Sequence, residues 1–293
     1  MNSKNQISIV IPAKNEAANL QALLKQIKTV APDAEILVID DGSTDDTSLI
    51  AKNAEATVIK HPYSQGNGAA IKTGARKAKG DIIIFMDADG QHDPNDIPAL
   101  LAKLDEDYDM VVGARHISTQ SSWLRKIGNS FYNWLASIMT GHRIEDLTSG
   151  YRAVRADKFR KFLYLLPNGF SYPTTSTMAF FRSGFPVAYV PIHAGKREGK
   201  SHIQLFRDGM RFFIIILRIG ALFSPMRLFL PISATVFITG LSYYAYTFST
   251  TGRFTNMTAL LLMSSLLIFL IGILSEQISS LHYRSAEDNR RSW

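Results

Sequence analysis

From residue 7 the chain alternates short apolar runs with stretches of helical spacing. ISIVIPA (7–13) reads as a strand, and EAANLQALLKQIKTV (16–30) has its apolar residues at helical spacing. EILVIDDGS (35–43) reads as a strand. TDDTSLIAKNA (44–54) reads as a helix, with Ser43 or Thr44 as its cap and acids in its first turn. ATVIKHP (56–62) is a short strand, and GNGAAIKTGARKAKG (66–80) a helix opening on glycines. DIIIFMDAD (81–89) and DMVVGAR (109–115) are strands again. Strands apolar on both faces and alternating with helices predict an α/β fold with a mostly parallel sheet covered on both sides. WLRKIGNSFYNWLASIMTG (123–141) is a helix with a wide apolar and aromatic face, which suits either core packing or a membrane interface. IEDLTSGYRAV (144–154) follows, and FRSGFPVAYVPI (181–192) has strand character.

The last quarter differs in kind. No charged residue occurs from Leu228 to Gly252, nor from Phe254 to Ser275. Each run exceeds the roughly 20 residues a bilayer-spanning helix needs, against the alternative of two buried core helices. HIQLFRDGMRFFIIILRIGALFSP (202–225) mixes arginines with bulky apolar residues and reads as an amphipathic helix at the membrane surface. Arg211, Arg218 and Arg227 precede the first span, Arg284, Arg290 and Arg291 follow the second, and Arg253 alone lies between. The positive-inside tendency then puts both termini, and everything before residue 220, on the cytoplasmic side.

A net charge of +7 over 293 residues favours acidic partners: nucleic acid, phosphorylated small molecules or anionic lipid. The absence of cysteine excludes disulfides and thiolate metal sites. Polar residues cluster after the strands: Asn15 and Glu16, Asp40 and Asp41, Asp87 and Asp89. In a parallel sheet these strand ends share one edge, where ligands bind. Asp87 and Asp89, one residue apart, repel unless a cation joins them. Mg²⁺ typically takes one or two protein carboxylates and fills its shell with water and phosphate oxygens. Gln91 offers a third oxygen. His92 is a poorer ligand for a hard ion and reads as a loop cap. Arg115 and the segment AGKREGKSH (194–202) supply positive charge for a diphosphate. That basic segment reads equally well as a lipid-attracted juxtamembrane patch.

IVIPAKNEAANL, VIDDGSTDDT, GNGAAIKTGARKAKGD, DADGQHDP and DLTSGYRA occur in this order. Together they resemble family 2 glycosyltransferases of the GT-A fold, and among them the polyprenyl-phosphate glycosyltransferases related to dolichol-phosphate mannose synthase. The resemblance runs from about Ile7 to Arg207, and the two apolar runs resemble the bacterial branch of that group. It implies that Pro12, Ala13, Glu16, Asp40, Asp41 and Gly66 bind the nucleoside side of a UDP- or GDP-sugar. It further implies that Asp87, Ala88, Asp89 and Gln91 hold the diphosphate, with Asp87, Asp89 and Gln91 on Mg²⁺ or Mn²⁺. Arg115 falls near the sugar diphosphate, Arg125 and Ser149 near an acceptor phosphate, and Asp146 on the acceptor side. Asp89, Asp146 and Arg115 are thus the catalytic candidates. In the basic segment, Lys196, Arg197 and His202 stand where the family commonly reads Arg-x-x-Gly-x-Ser-Lys, so His202 replaces a lysine.

The resemblance implies inverting transfer of a sugar to an undecaprenyl- or dolichyl-type phosphate at the inner membrane, for cell-envelope glycan synthesis. The partners it implies are the nucleotide sugar and the lipid, not nucleic acid; self-association stays open. The expected layout is a GT-A domain over 1–202, a juxtamembrane helix over 203–224, a two-helix hairpin over 226–282 and a tail over 283–293. A processive polysaccharide synthase would carry Gln-x-x-Arg-Trp, which this chain lacks. A nucleotidyltransferase would show a glycine-rich basic loop in place of IPAKNEAANL. The alternatives kept are transfer to another lipid or glycan acceptor and an inactive membrane-anchored binding protein.

Overall fold

The computed structural model describes residues 6–115, 123–169, 171–192 and 224–288, and scattered positions between 210 and 221. The side chains of 123–127, 129 and 280–288 fall outside this description. The basic segment with Lys196, Arg197 and His202, the side chain of Arg125, most of the expected helix at 203–224 and the last five residues therefore lie outside the described residues.

The described residues divide into two units, Met1–Trp134 with Arg143–Ile215, and Leu135–His142 with Ile216–Trp293. The first is a seven-stranded sheet with helices between its strands. Its strands are β1 (Ile7–Ala13), β2 (Glu35–Asp40), β3 (Thr57–Lys60), β4 (Ile82–Phe85), β5 (Met110–Arg115), β6 (Arg152–Arg155) and β7 (Val187–Ile192). They lie in the order β3-β2-β1-β4-β6-β5-β7. The expected strands all form. β4, IIIF, is buried along its whole length, as a parallel strand covered on both faces must be. Helix α1 (Ala17–Val30) buries Leu20, Leu23, Leu24 and Ile27, an i, i+3, i+4, i+7 stripe. It stops at Ala31 because Pro32 disfavours helical geometry in the residue before it.

Helix α2 (Thr47–Asn53) corrects two expectations, the first being the acids, since Asp45 and Asp46 precede the helix and its first turn holds none. Its N-cap position is Asp46, and neither Ser43 nor Thr44 caps it. Asp45 instead accepts from the Thr47 amide at 3.1 Å, while Ser43 Oγ is used by the Asn15 amide at 3.0 Å. Helix α3 (Asn67–Lys77) begins after Gly66, whose φ of 100° with ψ of 159° is a combination essentially confined to glycine. Helices α4 (Ile97–Leu104), α6 (Ala156–Arg160) and α7 (Tyr172–Arg182) complete this unit, with α5 (Trp123–Thr140) running from it into the second.

Sheet direction decides where the chemistry gathers. β1, β2, β3 and β4 are parallel, and β5 pairs parallel with β7. β6 alone runs the other way, between β4 and β5. Its first residue, Arg152, pairs with Phe85 at the end of β4 and with Val112 in β5. The loop before β6, residues 146–151, therefore starts from the same sheet edge at which β4 and β5 finish. Chain order also reverses beside β1, with β2 on one side and β4 on the other, which is the usual ligand crevice of such sheets.

The second unit is built on α8 (Pro225–Thr251) and α9 (Asn256–Asp288). Both are long and apolar enough to cross a membrane, and at most 17% of either apolar window is buried by the rest of the protein. That exposure argues against core helices and for a membrane-spanning pair. Ser233 Oγ of α8 donates to the Ser265 carbonyl of α9 at 2.9 Å. Arg227 donates to the carbonyls of Ile138 and Met139 at 3.1 and 3.3 Å, satisfying the end of α5.

Candidate active site

The loop after β2 is held by its own acids. Asp40 is fully buried and accepts from the Ser43 amide at 2.7 Å and from Ser48 Oγ, with Lys60 Nζ at 3.8 Å. Burial alone would raise its pKa, but these donors hold it below the ordinary carboxylate value. Asp41 accepts from His61 Nδ1 (2.8 Å), Ser64 Oγ (2.7 Å), the Gln65 amide (2.8 Å) and the Gly66 amide (2.9 Å). Burial again opposes the charge, and the four donors outweigh it, lowering the pKa to about 2. Both acids are thus already engaged within the fold, with Asp41 fixing residues 61–66 at the start of α3. On the neighbouring strand, Pro12 and Ala13 end β1. Glu16 precedes α1, and its amide donates to Thr47 Oγ1 at 3.0 Å.

The loop after β4 turns on His92. The Asp87 amide donates to His92 Nδ1 at 3.0 Å, so the ring proton sits on Nε2, which lies 4.0 Å from Asp87 Oδ2. The imidazole stacks on Tyr151 at 4.9 Å, and the Tyr151 hydroxyl donates to the Asp93 carbonyl at 2.9 Å. Burial pushes the His92 pKa down to about 4, so it is neutral at physiological pH. Its expected loop-holding role matches this geometry. Ala88 is buried between the two acids, and Asp89 Oδ1 accepts from the Gln91 amide at 3.2 Å.

At the end of β5, Arg115 meets Asp146 in a two-pronged pair, Nε to Oδ2 at 2.8 Å and Nη2 to Oδ1 at 3.0 Å. Asp146 also accepts from the amides of Arg115 (3.2 Å), Thr148 (3.0 Å) and Ser149 (3.1 Å). Burial disfavours its charge, but Arg115 and these amides keep it ionised below the ordinary value. Burial likewise disfavours the Arg115 charge, and Asp146 overcomes it, aided by Asp87 and Asp89. Asp146 is thus an anchor for Arg115, with its oxygens spent. Ser149 Oγ is buried with no hydrogen-bond partner.

The structure adds residues that the sequence reading missed. Arg152 is wholly buried and donates to the Pro173 carbonyl (3.2 Å), Ser176 Oγ (2.8 Å), Thr177 Oγ1 (3.1 Å) and the Ser149 carbonyl. It fastens the first turns of α7 behind Asp87. The motif SGYRA contains it, but nothing in the motif tells a buried brace from a surface arginine. Thr148, Ser171 and Thr174 join Asp87 around a cleft. YPTTST carries no charge and no helical apolar stripe, so α7 left no signal.

The donor set suits a hard divalent cation. Asp87 and Asp89 are two carboxylates on one short loop, and Asp87 keeps a third of its side chain exposed. Among the described residues no group of three His, Asp or Glu side chains stands ready to enclose an ion. Such a pair leaves coordination positions for phosphate oxygens and water.

A mostly parallel sheet carrying an acidic pair at the crevice end of β4, with an Arg–Asp clamp beside it, belongs to the GT-A class of sugar-transferring folds. Residues 8–163 match the family described as Glycosyl transferase family 2, and residues 224–281 match the GtrB C-terminal hairpin. The chain is a member of glycosyl transferase family 2. It is 36% identical over 169 residues to the uncharacterized protein MJ1222 of Methanocaldococcus jannaschii, covering 55% of this chain and 69% of that one. Among solved structures it resembles glucosyl-3-phosphoglycerate synthase from Mycobacterium tuberculosis. The complex of that enzyme with Mn²⁺, UDP and glucosyl-3-phosphoglycerate has a TM-score of 0.62 at 21% identity, over 74% of this chain and 80% of that one. Its complex with Mn²⁺, UDP-glucose and phosphoglyceric acid gives 0.62 at 20% identity, with the same coverage. At that identity the likeness concerns the fold.

Proposed function

We propose that the protein transfers a sugar, with inversion, from a nucleotide-diphospho-sugar to a polyprenyl phosphate at the cytoplasmic face of a membrane. The observation that carries the acceptor class is the state of the acidic and imidazole groups. Asp146 is saturated by Arg115 and three amides, and His92 Nδ1 already accepts from the Asp87 amide. Neither is placed to take a proton from an alcohol. A phosphate acceptor arrives ionised and needs no base. The apolar hairpin matches an acceptor whose tail stays in lipid.

In this reading the donor lies across the ends of β1, β2 and β4. Pro12, Ala13, Glu16 and the Asp40–Gly66 region form the nucleoside wall. Asp87, Asp89 and Gln91 hold Mg²⁺ or Mn²⁺, as the Mn²⁺ complexes of the mycobacterial enzyme encourage. When bound, the cation neutralises charge on the diphosphate. Arg115, aimed by Asp146, adds a second positive charge, and Lys196, Arg197 and His202 a third source. An oxygen of the acceptor phosphate, received near Ser149 and Arg125, attacks the anomeric carbon. The bond from that carbon to the diphosphate oxygen breaks, and the nucleoside diphosphate leaves with the electron pair. Donors that match the leaving charge stabilise the transition state more than the ground state.

The arginine distribution supports a cytoplasmic position for both termini and the catalytic unit. α5 presents Phe131, Trp134 and Ile138 exposed at i, i+3 and i+7, which suits the interfacial reading of that helix. Replacing Asp89 with alanine tests the cation site. Asp89→Ala is expected to lose ~10²–10³-fold in turnover with an unchanged thermal midpoint. Near-normal turnover would remove the metal role.

A further inference from the structure

The crevice between the end of β4 and the start of α7 holds two hydroxyls that the mechanism above does not use. The cavity there has a volume of about 70 Å³, several times the roughly 10–15 Å³ a single water needs. Asn67, Asp87, Thr148, Ser171 and Thr174 line it. Ser171 is 3% exposed and Thr174 fully buried, and neither side-chain oxygen has a hydrogen-bond partner. Unpaired buried hydroxyls are costly and correspondingly rare. The same helix pairs its other hydroxyls. Thr175 Oγ1 donates to the Ser171 carbonyl (3.2 Å), Ser176 Oγ to the Tyr172 carbonyl (2.8 Å), and Thr177 Oγ1 accepts from Arg152 (3.1 Å). Ser171 holds the N-cap position of α7 at φ 92°, a strained backbone for serine, yet its side chain makes no cap bond.

The lining dictates the ligand chemistry. Among the described residues no lysine, arginine or histidine lines the cavity, and the one charged group lining it is the Asp87 carboxylate. Anions are disfavoured there. Hydroxyls and an amide both donate and accept, which matches a neutral group bearing several hydroxyls. Gly150 leaves Asp87 its room, since a Cβ at that position would stand 2.8 Å from Asp87 Oδ2. We propose that Ser171 and Thr174 form a subsite for the hydroxyls of the donor's sugar ring and set which sugar is accepted. This rests on the donor reading above and adds the residues that would discriminate within it.

The test uses the purified full-length chain with Mn²⁺ and four donors: UDP-glucose, UDP-galactose, UDP-N-acetylglucosamine and GDP-mannose. Donor cleavage and binding of the matching nucleoside diphosphate are measured in parallel. Thr174→Val keeps the shape and removes the hydroxyl; Ser171→Ala removes the other; Thr174→Ser keeps it. For the donor the wild type prefers, the first two variants are expected to lose ~10–100-fold in kcat/KM and to narrow the preference among sugars. Affinity for the nucleoside diphosphate should stay within about two-fold, and Thr174→Ser should recover most of the loss. Wild-type kcat/KM and ranking in both variants would overturn the subsite. So would an equal loss of nucleoside diphosphate affinity, or a loss that Thr174→Ser does not recover. A wild type that neither binds nor cleaves any of the four donors would instead overturn the enzyme reading, and the subsite with it; failures confined to the variants leave the enzyme reading standing.

Discussion

Asp41 carries four hydrogen bonds on one carboxylate, and its energetics can be followed with pH. Its pKa falls from the ordinary 3.8 to about 2 in the fold. A lowered carboxylate stabilises the fold above its unfolded pKa, and that contribution disappears as pH falls through the folded value. The window is therefore pH 4 down to 2, and the shift corresponds to about 2 kcal/mol. Asp41→Asn keeps the shape but gives the Gln65 and Gly66 amides and Ser64 a poorer acceptor. It should lower stability by about that amount at neutral pH and flatten the dependence between pH 4 and 2, as read by thermal unfolding across pH. An unchanged acid slope would mean that these hydrogen bonds do not set the charge. The sequence made Asp41 conspicuous through its place after a strand, and the structure keeps it in the crevice. That its oxygens would be turned inward, onto residues 61–66, depends on chain twenty residues further on, which no local pattern reveals.

Among the elements, those with a period were legible and those without were not. α1 has a full apolar stripe, β4 is uninterruptedly apolar, and α8 and α9 are uncharged over whole bilayer widths, so burial or lipid exposure follows from composition alone. β6 is four residues, RAVR, with arginine at both ends, and it runs against its neighbours. Its strand character comes from pairing with β4 and β5, which is a tertiary effect. α7 is buried on every side through Thr177 despite its polar sequence, because Arg152 and backbone carbonyls satisfy most of its hydroxyls. Arg152→Met should therefore disturb α7 more than β6. Removing the guanidinium takes a donor at once from the Pro173 and Ser149 carbonyls and from the Ser176 and Thr177 hydroxyls, a large penalty for one substitution. A thermal midpoint lowered by several degrees is expected, with hydrogen exchange rising first over 172–177. Protection retained over that segment would show that α7 holds without its brace.

Over the whole molecule, two chemistries share one chain: a polar crevice for a soluble, charged donor and a hairpin with the length and exposure of a bilayer span. Glycosyl transferase family 2 accounts for the first and the hairpin for the second, and a lipid phosphate is an acceptor that needs both. The most direct measurement incubates the purified chain with a labelled nucleotide sugar, undecaprenyl phosphate and Mn²⁺, and follows label into the organic phase. The account predicts a labelled lipid that forms only with both the divalent ion and the lipid phosphate, and that is lost in Asp89→Ala. Label that reaches a polyprenyl alcohol equally well, or a lipid product that persists after the metal is chelated, would contradict it.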